Sequence, residues 1–74
     1  MAFEVGNEND DIKAVQQRLF DLGYITNEEY ITGYYGDISK TAVENFQNLN
    51  KLEATGIADY KTLTVMFSKD AVKA

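Results

Sequence analysis

Asp37-Ile38-Ser39-Lys40-Thr41-Ala42-Val43-Glu44-Asn45-Phe46-Gln47-Asn48-Leu49 is the stretch on which the fold turns. Ile38, Ala42, Val43, Phe46 and Leu49 recur with the spacing of one helix face rather than the alternation of a strand. Asp37 or Ser39 is placed to cap the first turn, whose amides lack acceptors within the helix. Upstream, Ile12, Val15, Leu19 and Leu22 carry the same period and predict a helix over 11–22. Asp10 or Asp11 would cap it, and Gly23, free to take positive φ, would stop it. Downstream, Leu52 packs past the end of the central helix. Ala54 to Asp59 then reads as a turn that delivers a shorter third helix, presenting Leu63, Met66 and Phe67 to the core.

Between the first two helices, Tyr24 to Gly36 mixes β-favouring residues with Asn, Gly and acids and has no sustained period, so it reads as a long loop. Residues 1–9 are expected to be extended, residues 10–67 to form the domain, and the weakly patterned residues 68–74 to fray. Three apolar helical stripes without a long strand predict an all-α fold, a small three-helix bundle with a long loop between helices 1 and 2. Lys13-Ala14-Val15 and Thr41-Ala42-Val43 make one short internal match.

The 74 residues include 12 carboxylates, 7 Lys+Arg and no His, Cys, Pro or Trp, for a net charge of -5. A chain of this size is one domain at most and buries roughly 60–65% of its unfolded surface. Neither a disulfide nor a Cys/His zinc site supplements the core, and nucleophilic chemistry that needs imidazole or thiolate is excluded. Catalysis by carboxylates alone would need a cleft that so short a chain has little room to build, so no enzyme is expected. The negative balance opposes phosphate backbones, which rules against nucleic acid. No apolar run approaches a membrane span, and the acidic start of the chain lacks the basic and apolar regions of a signal peptide.

The run Ile12-x-x-Val15-Gln16-x-x-Leu19-x-x-Leu22-Gly23-Tyr24, then Gly33-x-Tyr35-Gly36, Ala42-Val43-x-x-Phe46-Gln47, and Gly56-Ile57 with Thr62, resembles the type 1 peptidoglycan-binding domain in order and interval. The resemblance covers about Asp10 to Phe67. It implies a compact, monomeric three-helix module without cofactor or metal that holds a cell-wall hydrolase, or another attached domain, on bacterial peptidoglycan. It implies an extracellular or wall-associated place of action, or production in the cytoplasm before a phage-type release. The chain departs from the family's pattern at Ser39, where Thr is usual, at Lys51 before Leu52, where Gly is usual, and at Asp59-Tyr60, where Gly-Pro is common. Asp tolerates left-handed backbone and caps helices, so Asp59 can serve in both ways. A positive φ at Lys51 would cost about 1 kcal/mol.

Gln16 and Gln47 sit beside Val15 and Phe46 at the borders of the apolar faces, where a half-buried amide serves loop carbonyls and amides. Gly23, Gly33, Gly36 and Gly56 read as backbone requirements of turns. The structural set is therefore Val15, Gln16, Leu19, Leu22, Gly23, Tyr35, Val43, Phe46, Gln47, Gly56 and Leu63. Five tyrosines exceed what so small a core holds, since each buried hydroxyl needs a partner. Tyr35 is assigned to the core. Tyr30, Tyr34 and Tyr60 are the candidates for an exposed surface that stacks on sugar rings or packs on a stem peptide. A groove is expected where the loop meets the start of the second helix, adding Gly36, Asp37 and Ser39, with the amides of residues 37–39 facing outward.

Three rival readings have distinct requirements. An acyl carrier protein needs a D-S-L attachment serine, whereas Ser39 follows Ile38 and Ser68 follows Phe67. Calcium binding by Glu8, Asp10 and Asp11 lacks the alternating ligand frame of an EF-hand, leaving a solvated acidic face. A protein-interaction or regulatory domain that shares the fold without binding wall is compatible with every residue named, because a fold does not determine function.

Overall fold

A computed structural model describes residues 2–74. Three helices form in the expected order, α1 (Asp10–Asp21), α2 (Asp37–Leu49) and α3 (Tyr60–Met66), with a single 3-10 turn at Glu28–Tyr30 in the long loop. The all-α bundle expected from the apolar stripes is the observed fold. Ile12, Val15 and Leu19 of α1, Ala42, Val43 and Phe46 of α2, and Met66 of α3 meet in one core, closed by Phe3, Leu22, Ile25, Tyr35 and Ala58.

The caps differ from expectation at two helices. Asn9, not Asp10 or Asp11, caps α1, its Oδ1 accepting from the Ile12 amide at 3.0 Å; the two aspartates lie inside the first turn and complement the helix dipole instead. At α2 neither Asp37 nor Ser39 acts as cap. The cap residue is Gly36, which has no side chain, and the first turn is left without a side-chain acceptor. Asp59 does cap α3, taking the Thr62 amide at 2.9 Å, but from extended backbone at φ -83, so left-handed tolerance is not what it supplies.

Helix ends follow one geometry twice. After α1, Gly23 at φ +91 turns the chain so that the Tyr24 amide returns to Leu19 O at 2.8 Å. After α2, Lys51 at φ 60 does the same, and the Leu52 amide returns to Gln47 O at 2.8 Å. Both are left-handed closures that satisfy orphan carbonyls, the second without the residue that adopts this conformation freely.

Stripe residues at the margins are not all buried. Ile38 and Leu49, first and last of the α2 stripe, are exposed, because the helix rolls its Ala42-Val43-Phe46-Gln47 face inward and leaves both ends outside it. Leu63 is half-buried against the core and Phe67 is exposed, so Met66 alone of the three carries α3 inward fully. Gly36, read as a backbone requirement of a turn, is in extended backbone at φ -102.

Both flanking segments are bonded to the body. Phe3 is buried and exchanges two backbone hydrogen bonds with Ala58, at 3.0 and 2.9 Å, while the Gly6 amide donates to Tyr35 O and the Tyr35 amide to Asn7 O. Residues 68–74, read from the sequence as a frayed tail, fold back onto the chain just past the ends of α1 and α2. The Val72 amide donates to Asn50 Oδ1 at 2.8 Å, Tyr24 Oη donates to Val72 O at 2.5 Å, and the Ala74 amide reaches Leu22 O at 2.9 Å. Arg18 holds the start of this segment through Met66 O at 2.8 Å and Ser68 O at 3.1 Å, a guanidinium placed on the negative end of α3.

Candidate functional site

The long loop is fastened by one side chain. Gln16, buried on α1, accepts from the Thr32 and Gly33 amides at 2.8 and 2.9 Å and donates to Tyr34 O and Ser39 Oγ, both at 2.9 Å. All four partners lie in the loop or the first turn of α2, so the amide fixes where the loop meets the helix. Gly33 makes this approach feasible, since a Cβ there would lie 3.2 Å from Asn9 O and 3.3 Å from Lys13 Cγ, on backbone at φ +87.

Gln47 repeats the arrangement one connection later. Its Oε1 accepts from the Gly56 amide at 3.0 Å, and its Nε2 donates to Ile57 O and Thr62 Oγ1, each at 3.0 Å, and to Thr55 Oγ1 at 3.2 Å. Thr32-Gly33-Tyr34 and Thr55-Gly56-Ile57 are thus two copies of one turn. In each, the threonine hydroxyl bonds both the amide and the carbonyl of the residue two places on. Among the described residues no buried side-chain nitrogen or oxygen lacks a hydrogen-bond partner, and both glutamine amides spend their bonds on the connecting segments and the helix that follows.

Tyr35 is buried and its hydroxyl donates to Gly56 O at 2.6 Å, linking the two turns. Burial pushes this hydroxyl well above the ordinary tyrosine range, so it remains a donor. With Tyr35 facing inward, its neighbour Tyr34 faces out, at 47% exposure.

Outside this fastening lies a shallow concavity of about 310 Å³ lined by Tyr30, Thr32, Tyr34, Gly36, Asp37, Ile38 and Ser39. Five of the six residues singled out as a ligand surface therefore come together. Tyr60 does not join them; it stands 75% exposed at the start of α3, outside the lining of this concavity. Thr32 and Ile38 complete the lining, and sequence reading missed both, Ile38 because its period assigned it to the core. Ser39 is buried, and its hydroxyl oxygen accepts from Gln16, so the hydroxyl is turned toward the loop fastening. Gly36 contributes by having no side chain: a Cβ there would sit 3.2 Å from the Tyr34 ring. Two exposed aromatic rings, a carboxylate and the uncapped first turn of α2 form a surface suited to stacking and hydrogen bonding.

Residues 8–66 match the family described as "Putative peptidoglycan binding domain". The chain belongs to this family. The description of the family is that of a binding domain. Its fold is similar to that in the crystal structure of an endolysin from the Burkholderia AP3 phage, with a TM-score of 0.83 and 28% identity, over 92% of this chain and 25% of that one. It is also 37% identical over 46 residues to the type VI secretion system spike protein VgrG3 of Vibrio cholerae serotype O1, covering 62% of this chain and 4% of the spike protein. The chain thus spans a small part of each of these larger proteins. Among the described residues, no helix is long and apolar enough to cross a membrane.

Proposed function

We propose that this domain anchors an attached domain, such as a cell-wall hydrolase, to bacterial peptidoglycan through the concavity between the long loop and the start of α2. The observation that supports this best is the convergence of Tyr30, Tyr34, Gly36, Asp37 and Ser39 on one concave surface of a peptidoglycan-binding-domain fold. Similarity both to part of a phage endolysin and to part of a secretion spike supports a portable module, joined to different neighbours and acting outside the cytoplasm at the wall. A shallow site on an acidic domain binds weakly, and tethering converts weak binding into effective concentration for the neighbour. Bulk charge does not supply the attraction, because wall polymers are themselves anionic; stacking and hydrogen bonding must.

Pelleting of a reporter fusion with purified sacculi tests the proposal. The wild-type fusion is expected in the pellet, and Tyr30→Ala/Tyr34→Ala is expected to leave most of it in the supernatant while circular dichroism stays unchanged. Equal retention of the two would remove the concavity from the function, and no retention of either would remove wall anchoring.

A further inference from the structure

The concavity at Tyr30 and Tyr34 does not stop at the first turn of α2. Its lining residues Asp37 and Ile38 also line a second hollow of about 280 Å³, which continues to Tyr24, Thr41 and Asn45. Tyr24 and Asn45 in turn line a third, of about 390 Å³, which reaches Asn48 and Leu49. The middle hollow shares two lining residues with each of the others, so the three make one furrow along the outer side of α2. Thirteen residues of helix are ~20 Å long, so the furrow crosses most of a molecule whose longest extent is 26 Å.

The chemistry of the furrow is uneven in a way that selects a ligand. Among the described residues, no Lys or Arg side chain lines any of its three parts, and Asp37 is the only charged side chain there. The free carboxylates of a wall stem peptide would meet no cation and one anion. What the furrow does offer is the exposed amides of Asn45 and Asn48, the Thr41 hydroxyl, the Tyr30 and Tyr34 rings, and two apolar side chains, Ile38 and Leu49, which α2 leaves out of the core. Amides and hydroxyls pair with uncharged hydroxyl and acetamido groups, and rings and aliphatic side chains pack on the apolar faces of pyranoses.

Resting on the reading of this surface as the wall-binding site, we propose that the furrow takes the uncharged glycan strand of peptidoglycan, several β-linked N-acetylated sugars lying along α2, and not the stem peptide. Tyr30 and Tyr34 hold one end of the strand, and Asn45, Asn48 and Leu49 hold the other. Tyr24 forms the floor between them, its ring edge-to-face on Phe46 at 5.4 Å and its hydroxyl committed to Val72.

The test is a heteronuclear NMR titration with three probes: the β-linked N-acetylglucosamine tetramer, the corresponding dimer, and a free stem tetrapeptide. The tetramer is expected to shift resonances at Tyr34 and at the Asn45 and Asn48 side-chain amides together, and to bind about tenfold more tightly than the dimer. The tetrapeptide is expected to shift none of them. Asn45→Ala/Asn48→Ala, at exposed helix positions where alanine favours the helix, should weaken the tetramer about fivefold or more and bring it close to the dimer. Three outcomes would each overturn the glycan assignment: tetramer and dimer binding equally, the tetrapeptide shifting the furrow, or no shifts along α2 with the tetramer. Each would leave retention on sacculi intact. Loss of that retention is the separate result that overturns wall anchoring itself.

Discussion

Gln16 and Gln47 each place four hydrogen bonds on the chain segment that follows their helix, and neither amide is accessible to water. Replacing either with leucine leaves buried amides and carbonyls without partners, at ~1–3 kcal/mol for such a group. Gln47→Leu is therefore expected to destabilise by about 3 kcal/mol in urea unfolding, with Gln16→Leu similar. Lys51 carries the opposite signal. A side chain at φ 60 is strained, so Lys51→Gly should stabilise by about 0.5–1 kcal/mol, read as a rise in Tm. Asp59 adds a pH dependence. The Thr62 amide holds its carboxylate below the usual range, so the cap stabilises fully above the ordinary Asp pKa and is lost as pH falls through the depressed value. Asp59→Ala should cost about 1 kcal/mol at neutral pH, and the gap to wild type should close in strong acid. These roles were unequally legible. A glutamine beside an apolar stripe signals a satisfied amide, whereas Asn9 and Gly36 took the capping positions from better-looking neighbours because caps depend on where the preceding chain enters.

At the scale of the elements, the helices were readable and their margins were not. Periodicity reports which residues could face a core, but Ile38 and Leu49 show that a helix of this length has one face for packing and a second, partly apolar, for solvent. The same ambiguity hid the outer side of α2 as a surface. Tyrosine excess and loop position were enough to bring Tyr30 and Tyr34 forward, while Tyr60 shared their composition and not their place. The contacts of the flanks were hidden for a different reason: short irregular segments carry no period, and their partners, Ala58, Asn50 and Leu22, are distant in sequence. Phe3 is packed like any core residue, so Phe3→Ala is expected to cost ~3 kcal/mol in thermal or urea unfolding, an effect a detached N-terminal segment would not produce.

For the molecule as a whole, the paired turns show how 74 residues without a cysteine close a core. Helix α2 receives the loop fastened by Gln16 and fastens the next with Gln47, so the first connection and the second share one element. The joined flanks bear on how the proposed anchoring would carry load. Polypeptide attached before Phe3 or after Ala74 would pull first on the Phe3–Ala58 pairing and on the Ala74–Leu22 bond. Under the proposed anchoring, tension between a neighbouring domain and the wall would thus load these peripheral clasps before it reached the helices that shape the furrow.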